Sequence, residues 1–248
     1  MKNIKYTVVV PAYCEEKVIA DSLQRLSGAL KNDSKRFKVT EVIVVAADGG
    51  DKTAQIARYN QGLFANFVLI EPGKKVGKGR DVREGVLAAR GEYVLFLDAD
   101  LATPPHHIVE AFDGLEQNNI DLLIARRPLS KIHNTISRKV FSVLANLLVR
   151  FLATPGIQDS QCGFKAFKTM VAKQLFKPLE TMGWGFDIEI LARARAKKLK
   201  IETLKIDDWY DPKEDVMGLV GESNMHAYLN TLKELFIIAA RRLLGRYR

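Results

Sequence analysis

Two carboxylates, Asp98 and Asp100, close the apolar run Leu95-Phe96-Leu97 and stand just ahead of Thr103-Pro104-Pro105. Alternate residues of a strand point the same way, so this spacing aims both acids at one spot. Hard oxygen ligands so placed suit Mg²⁺ or Mn²⁺ shared with a diphosphate, because such ions keep waters and take one or two carboxylates plus phosphate oxygens. The competing reading is a polar turn with two solvated aspartates. Upstream, Gly73-Lys74-Lys75-Val76-Gly77-Lys78-Gly79-Arg80 is a glycine-rich basic loop able to approach a diphosphate. No Gly-Lys-Ser/Thr closes it, which argues against an ATPase.

Two further segments carry groups for a nucleotide. In Pro11-Ala12-Tyr13-Cys14-Glu15-Glu16, either glutamate can accept hydrogen bonds from a base or simply complement a helix dipole. In Ala46-Ala47-Asp48-Gly49-Gly50-Asp51, the glycines permit a tight turn, and Asp48 can bond a base or ribose.

These segments must be positioned by the elements that precede them. Short β-branched runs predict strands at Tyr6–Val10, Glu41–Ala46, Phe67–Ile70, Tyr93–Leu97 and Asp121–Ala125. Helical periodicity falls between them, at Val18–Leu30, Thr53–Asn60, Val82–Ala89 and His106–Gln117. Such a βαβ series predicts a mostly parallel, helix-covered sheet with ligands at the carboxyl ends of its strands. Beyond Ala125 the pattern predicts an amphipathic helix at Ile136–Leu152, a short strand at Gly163–Phe167, a helix at Phe186–Lys198 and a basic terminal helix at His226–Arg246.

The chain has 248 residues, 47% hydrophobic and 27% charged, enough to bury a sizeable core. Its formal charge of +9 favours an acidic partner, whether phosphorylated small molecules, an anionic bilayer or nucleic acid. Cys14 and Cys162 are the only cysteines and indicate neither a disulfide framework nor a zinc site. His106, His107, His133 and His226 show no metal-ligand spacing, and the first two read as the start of a surface helix. No apolar run reaches the roughly 20 residues of a spanning helix, and the N-terminus lacks a secretory signal. A cytoplasmic protein that can lie on a bilayer without crossing it is therefore expected. Between Leu122 and Gln158 there are six basic residues and no acidic one, beside the apolar stretch Phe141–Leu152, a combination that suits a lipid phosphate on an anionic surface.

In their order and spacing, Val10-Pro11-Ala12-Tyr13-Cys14-Glu15, Gly77-Lys78-Gly79, Ala89-Arg90-Gly91-Glu92-Tyr93, Asp98-Ala99-Asp100-Leu101 and Asp159-Ser160-Gln161-Cys162-Gly163-Phe164-Lys165 resemble family-two glycosyltransferases. The likeness is strongest to the dolichyl- and undecaprenyl-phosphate mannose or glucose synthases and spans residues 6–206. It implies a GT-A-type α/β fold, with a donor-binding half at 1–125, an acceptor-binding half at 126–225 and a basic amphipathic helix at 226–248. It also implies an inverting hexosyltransferase dependent on Mg²⁺ or Mn²⁺. Pro11, Tyr13, Glu15 and Asp48 would line the nucleotide-sugar pocket, Lys78 and Arg80 would face the diphosphate, Asp98 would sit near the donor, and Asp100 would hold the metal with Asp98. Arg127, Arg138 and Ser142 match positions that would grip an acceptor phosphate, and Asp159 would serve as base if the acceptor were a hydroxyl.

Three departures from the family pattern bear on the substrate. Cys14 stands where Asn is usual, Ala46-Ala47 where two aspartates are frequent, and Ala102 where mannosyl relatives often carry Gln. The last favours glucose, and hence a UDP donor, over mannose. The expected reaction is transfer of a hexose from a nucleotide sugar to a polyprenyl phosphate at the membrane surface. A soluble sugar or a protein as acceptor is the alternative within the family. A non-catalytic nucleic-acid-binding protein is the alternative outside it; the charge suits that class, but no RNA-reading aromatic motif or helix-turn-helix pattern accompanies it.

Overall fold

A computed structural model describes residues 4–31, 37–128, 154–210 and 224–247. Its first half alternates strand and helix: β1 (Ile4–Ala12), α1 (Ile19–Lys31), β2 (Phe37–Ala46), α2 (Thr53–Tyr59), β3 (Phe67–Ile70), α3 (Lys78–Ala88), β4 (Tyr93–Leu97), α4 (His107–Gln117) and β5 (Leu122–Arg126). Then follow β6 (Phe164–Lys168), α5 (Thr169–Phe176), α6 (Phe186–Ala196), β7 (Ile201–Lys205) and α7 (Asn224–Leu243). One seven-stranded sheet has the order β3-β2-β1-β4-β6-β5-β7. Every pairing is parallel except those of β6, which runs against both β4 and β5. This is the mixed α/β, mostly parallel sheet that the alternation predicts.

The continuous apolar run Val8-Val9-Val10 exists because β1 is covered on both faces. Tyr6, Val8, Val10 and Ala12 face a layer containing Ile19 and Leu23 of α1 and Phe112 of α4. Val9 faces the opposite layer, with Val82 and Val86 of α3, Phe176 of α5 and Phe186 of α6. Burying each such valine contributes on the order of 1.5–3 kcal/mol, so the centre of the sheet is a rigid platform for the loops at its carboxyl edge. The Ala89-Arg90-Gly91 corner is locked to that platform. Buried Glu41 accepts from the Arg90 backbone N–H at 2.7 Å and from the Thr7 hydroxyl at 2.9 Å. A Cβ at Gly91 would meet the Tyr6 and Thr7 backbone at 2.7 Å, so only glycine fits there.

The structure differs from the sequence-based expectation in several places, among them β2, which starts at Phe37 instead of Glu41. β1 runs on through Pro11 and Ala12, which lie opposite Val45 and Ala46. α3 starts at Lys78 instead of Val82, so the end of the basic loop is a helical first turn. β7 and α5 were not anticipated: β7 is half exposed at the sheet edge and reads as polar, and α5 is only eight residues long. The helix expected at 136–152 lies outside the described residues.

Candidate active site

The carboxyl ends of β1 and β4 open into a cleft of about 450 Å³. Pro11, Ala12, Tyr13 and Glu15 form one wall; Lys75, Gly77, Lys78 and Asp81 another; Asp98, Ala99, Asp100, Ala102 and Thr103 the floor. Arg127, Gln161, Gly163, Trp184, Asp187 and Trp209 complete it from the second half of the chain. The antiparallel course of β6 brings Gly163, at its start, beside the end of β4, where the Asp98 N–H donates to the Gly163 carbonyl at 3.0 Å. A Cβ on Gly163 would fall inside the Asp98 carboxylate, so this glycine is what leaves room for that group.

The Asp98 carboxylate forms an ion pair with Lys78 Nζ, and its Oδ1 is sealed from solvent with no hydrogen-bond donor beside that cation. Asp100 Oδ1 accepts from the Ala102 N–H at 3.0 Å, and the Asp100 carbonyl accepts from the Tyr210 hydroxyl at 2.7 Å. A carboxylate oxygen poor in donors, next to a second acid on the same loop, is a donor set that fits a hard divalent cation. Lys78 is aimed inward by the first turn of α3. Cβ atoms at Gly77 or Gly79 would strike the Met182 carbonyl, so the two glycines let that turn press against the 181–186 segment. Burial opposes the charge on Lys78, yet Asp98 and Asp187 outweigh it and raise its pKa.

Glu15 is pushed up to about 7, first by burial, then by Asp100, Asp98 and Asp51, with Lys78 opposing. Glu15, Asp98 and Asp100 thus repel one another across the cleft, and that repulsion favours a cation between them. Tyr13 lies beneath Lys75, whose Nζ is 4.2 Å from the ring centre. Cys14, between Tyr13 and Glu15, has φ 57, a left-handed conformation that Asn tolerates better than Cys.

Asp187, fully buried, is paired with the equally buried Lys165, which also donates to the Cys162 carbonyl at 2.6 Å. Two residues on, Glu189 turns away from the cleft; it accepts from the Thr181 N–H at 2.8 Å and from Arg193 Nε at 2.7 Å, holding the 177–185 segment in place. Cys162 is raised to about 11, chiefly by burial, and is an inert thiol.

Of the residues expected at the site, Pro11, Tyr13, Glu15, Lys78, Asp98, Asp100 and Arg127 come together in the cleft. Asp48 and Arg80 are not in its lining. Asp48 accepts from the Gly50 N–H at 3.0 Å in its own turn. Arg80, expected at the diphosphate, donates instead to the Pro72 carbonyl at 2.8 Å, the Lys74 carbonyl at 3.1 Å and Asp81 at 2.7 Å, bracing the basic loop against α3. Asp159, expected as a base, accepts a bidentate pair from Arg127 Nε and Nη2, each at 2.8 Å, and a third bond from the Arg127 N–H at 3.1 Å. Although burial works the other way, these bonds hold its carboxyl below the usual range, and a carboxylate so engaged is a poor proton acceptor. Its effect is to fix Arg127 at the cleft wall, with the guanidinium 5.7 Å from the centre of the Trp209 ring. Arg138 and Ser142 lie outside the described residues. Trp209, which no expectation named, follows the unanticipated β7; a tryptophan just after a polar edge strand gives no periodic signal.

The terminal helix α7 packs through Ile238 and Ala239, with Ile238 and Tyr247 meeting Ile188 and Ala192 of α6. Its other face presents Phe236, Ile237, Ala240 and Leu243 to solvent, with Leu244 just beyond, and Lys233, Arg242 and Arg246 around them. Among the described residues no helix is long and apolar enough to cross a membrane.

Comparison with known proteins gives this arrangement relatives. Dolichyl-phosphate beta-glucosyltransferase of Saccharomyces cerevisiae is 31% identical, covering 100% of this chain and 78% of that protein. The Homo sapiens protein of the same name is 31% identical over 98% of this chain and 77% of its own length. Among solved structures, glucosyl-3-phosphoglycerate synthase of Mycobacterium tuberculosis, in complex with Mn²⁺, UDP-glucose and phosphoglyceric acid, superposes with a TM-score of 0.66 at 18% identity, covering 96% of this chain and 80% of that one. The fold is therefore of the GT-A type. The model of Glycosyl transferase family 2 matches residues 7–176, from the middle of β1 to the end of α5 and across the Asp98 and Asp100 loop, and the chain belongs to that family.

Proposed function

We propose that this protein transfers glucose, with inversion, from UDP-glucose to a dolichyl-type polyprenyl phosphate at a membrane surface. The observation that carries the reading is the pairing, in one cleft, of two acids at the end of β4 with Arg127 clamped by Asp159. The first pair is suited to a metal-bridged diphosphate, the second to an anionic acceptor. The names of the relatives supply the sugar and the lipid.

In this reaction an oxygen of the acceptor phosphate attacks the anomeric carbon as the bond from that carbon to the diphosphate breaks, leaving UDP. The acceptor is already an anion at pH 7, so orientation matters more than deprotonation. That requirement agrees with Asp159 being committed to Arg127. Arg127 orients the acceptor phosphate, and Lys78, paired with the Asp98 carboxylate, meets the negative charge that develops on the departing diphosphate. Asp100 and Asp98 would hold Mg²⁺ or Mn²⁺, which when bound supplies Lewis-acid stabilisation of the leaving group. Tyr13 and Glu15 line the nucleoside end. The outward apolar and basic face of α7 rests on the anionic lipid that carries the acceptor.

The test is transfer of labelled glucose from UDP-glucose into solvent-extractable lipid, with and without polyprenyl phosphate vesicles and with MnCl₂ or chelator. Lipid-dependent, metal-dependent labelling is expected, with UDP giving a larger thermal shift than GDP. Labelling from GDP-mannose alone would overturn the donor, and labelling unaffected by the lipid would overturn the acceptor. A small phosphorylated acid is the second reading, favoured by the phosphoglyceric acid in the structural neighbour. Phosphoglyceric acid in place of lipid in the same assay separates the two.

A further inference from the structure

At the N-terminal end of α4, beside the cleft but not in its lining, two histidine rings lie 4.2 Å apart between centres and converge on one carboxylate. His107 Nε2 is 2.7 Å from Asp208 Oδ1, and His106 Nε2 is 3.1 Å from Asp208 Oδ2. The other nitrogen of His107, Nδ1, is 2.9 Å from Glu110 Oε2 one turn along the helix. His107 is largely covered, while His106 and Asp208 are open to solvent. The glucosyl-transfer chemistry uses none of these four residues.

We propose that His106, His107 and Asp208 form a zinc site. Two imidazole nitrogens and one carboxylate oxygen are a three-ligand set of the kind that leaves zinc a fourth position for water. The ligand atoms all lie within 4.8 Å of one another, and the exposed His106 ring can turn to close on an ion about 2.0–2.2 Å from each donor. Glu110 completes the arrangement from behind. By accepting from Nδ1–H it holds the ring so that Nε2, which now faces Asp208, is the nitrogen that would bind an ion on losing its proton, as outer carboxylates do for metal-bound histidines. Nitrogen donors select against Mg²⁺ and favour zinc over the hard cations suited to the all-oxygen pair Asp98 and Asp100, so the two sites sort different ions. The spacing of the histidines alone conceals the site, because its third member is 101 residues further on.

The site joins α4 to the segment that follows β7. From Asp208 the chain passes to Trp209, in the cleft wall, and to Tyr210, whose N–H donates to the Ala102 carbonyl at 3.2 Å and whose hydroxyl holds the Asp100 carbonyl. An ion bridging Asp208 and α4 would pin that wall. This consequence, unlike the site itself, rests on the proposed glucosyl transfer.

The test needs no turnover. Tag-free full-length protein, stripped with chelator, is titrated with Co²⁺ by visible absorption and with Zn²⁺ by calorimetry. One equivalent of Co²⁺ with the intense bands of four-coordinate geometry, displaced by Zn²⁺, is expected. Asp208→Asn and His106→Ala, both exposed changes that leave the core untouched, should each weaken zinc at least tenfold, and Glu110→Gln by about tenfold. Asp100→Asn should retain this equivalent. Absence of a zinc equivalent in the unaltered protein, or equal affinity in Asp208→Asn and His106→Ala, overturns the proposal, whatever the outcome of the transfer assay.

Discussion

Replacing Gly163 by alanine tests the geometry of the floor with a single methyl group. A Cβ there would overlap Oδ1, Oδ2 and Cγ of Asp98. Ordinary carbon contacts need about 3.5 Å or more, so the carboxylate must retreat by roughly 1 Å or further from its present place. It would leave its ion pair with Lys78 and its register with Asp100. A misplacement of about 1 Å costs on the order of 10²-fold in rate, or about 2.7 kcal/mol of barrier, whereas overpacking costs about 1–3 kcal/mol of stability. Glucose transfer to lipid should therefore fall about a hundredfold at saturating substrates, with circular dichroism unchanged and thermal stability only modestly reduced. A double-mutant cycle isolates the cause: if Gly163 acts through Asp98, Gly163→Ala should add little to the defect of Asp98→Ala. A Gly163→Ala protein with turnover within twofold of the parent would refute the argument, and so would additive defects.

Asp100→Ala should abolish metal-dependent transfer while leaving the fold intact, measured by turnover across a Mn²⁺ titration alongside circular dichroism; full turnover would remove the metal assignment. Asp159→Asn should raise KM for polyprenyl phosphate about tenfold with a smaller change in kcat, because it loosens Arg127; a collapse of kcat at unchanged KM would mark Asp159 as a base after all. Glu15, raised to about 7, favours its protonated form in the folded state, so the metal-free protein should lose stability as pH rises from about 4.5 to about 7. Glu15→Gln should raise Tm at pH 8 and leave it nearly unchanged at the acid end, and a parallel Tm profile in both proteins would contradict the shift. Cys14→Asn relieves a left-handed non-glycine backbone and should stabilise by about 0.5–1 kcal/mol in denaturant unfolding; a lowered midpoint would show that the thiol contact with Gly49 outweighs the strain.

The first half of the fold was legible because strands buried on both faces are continuous apolar runs, as in Val8-Val9-Val10 and Leu95-Phe96-Leu97. The acids at their ends were legible for the same reason, since a charge directly after a buried strand marks the sheet's edge. Ile201–Lys205 was not, because an edge strand with half its side chains in water carries no apolar run. Its loss concealed Trp209 and Asp208 together. The roles of Arg80 and Asp159 were illegible for a different reason. Each sits beside a residue of the cleft, Arg80 on Asp81 and Asp159 on Arg127, but what a guanidinium or carboxylate does depends on its partners, and no local pattern ranks those partners against a ligand.

Glu234 of α7 accepts from the Gly185 N–H at 2.9 Å, and a Cβ on Gly183 would strike the same carboxylate. About two turns further on, Arg241 binds Glu180 at 2.7 Å. Between the two glycines stands Trp184, whose ring lies 5.3 Å from Lys78 Nζ. The final helix is therefore a buttress of the cleft wall that holds Trp184 as well as the bearer of an exposed apolar face. A version trimmed before Asn224 to improve handling in detergent-free buffer would release Trp184 along with that face, and a weakened affinity for UDP should not be mistaken for a need for lipid.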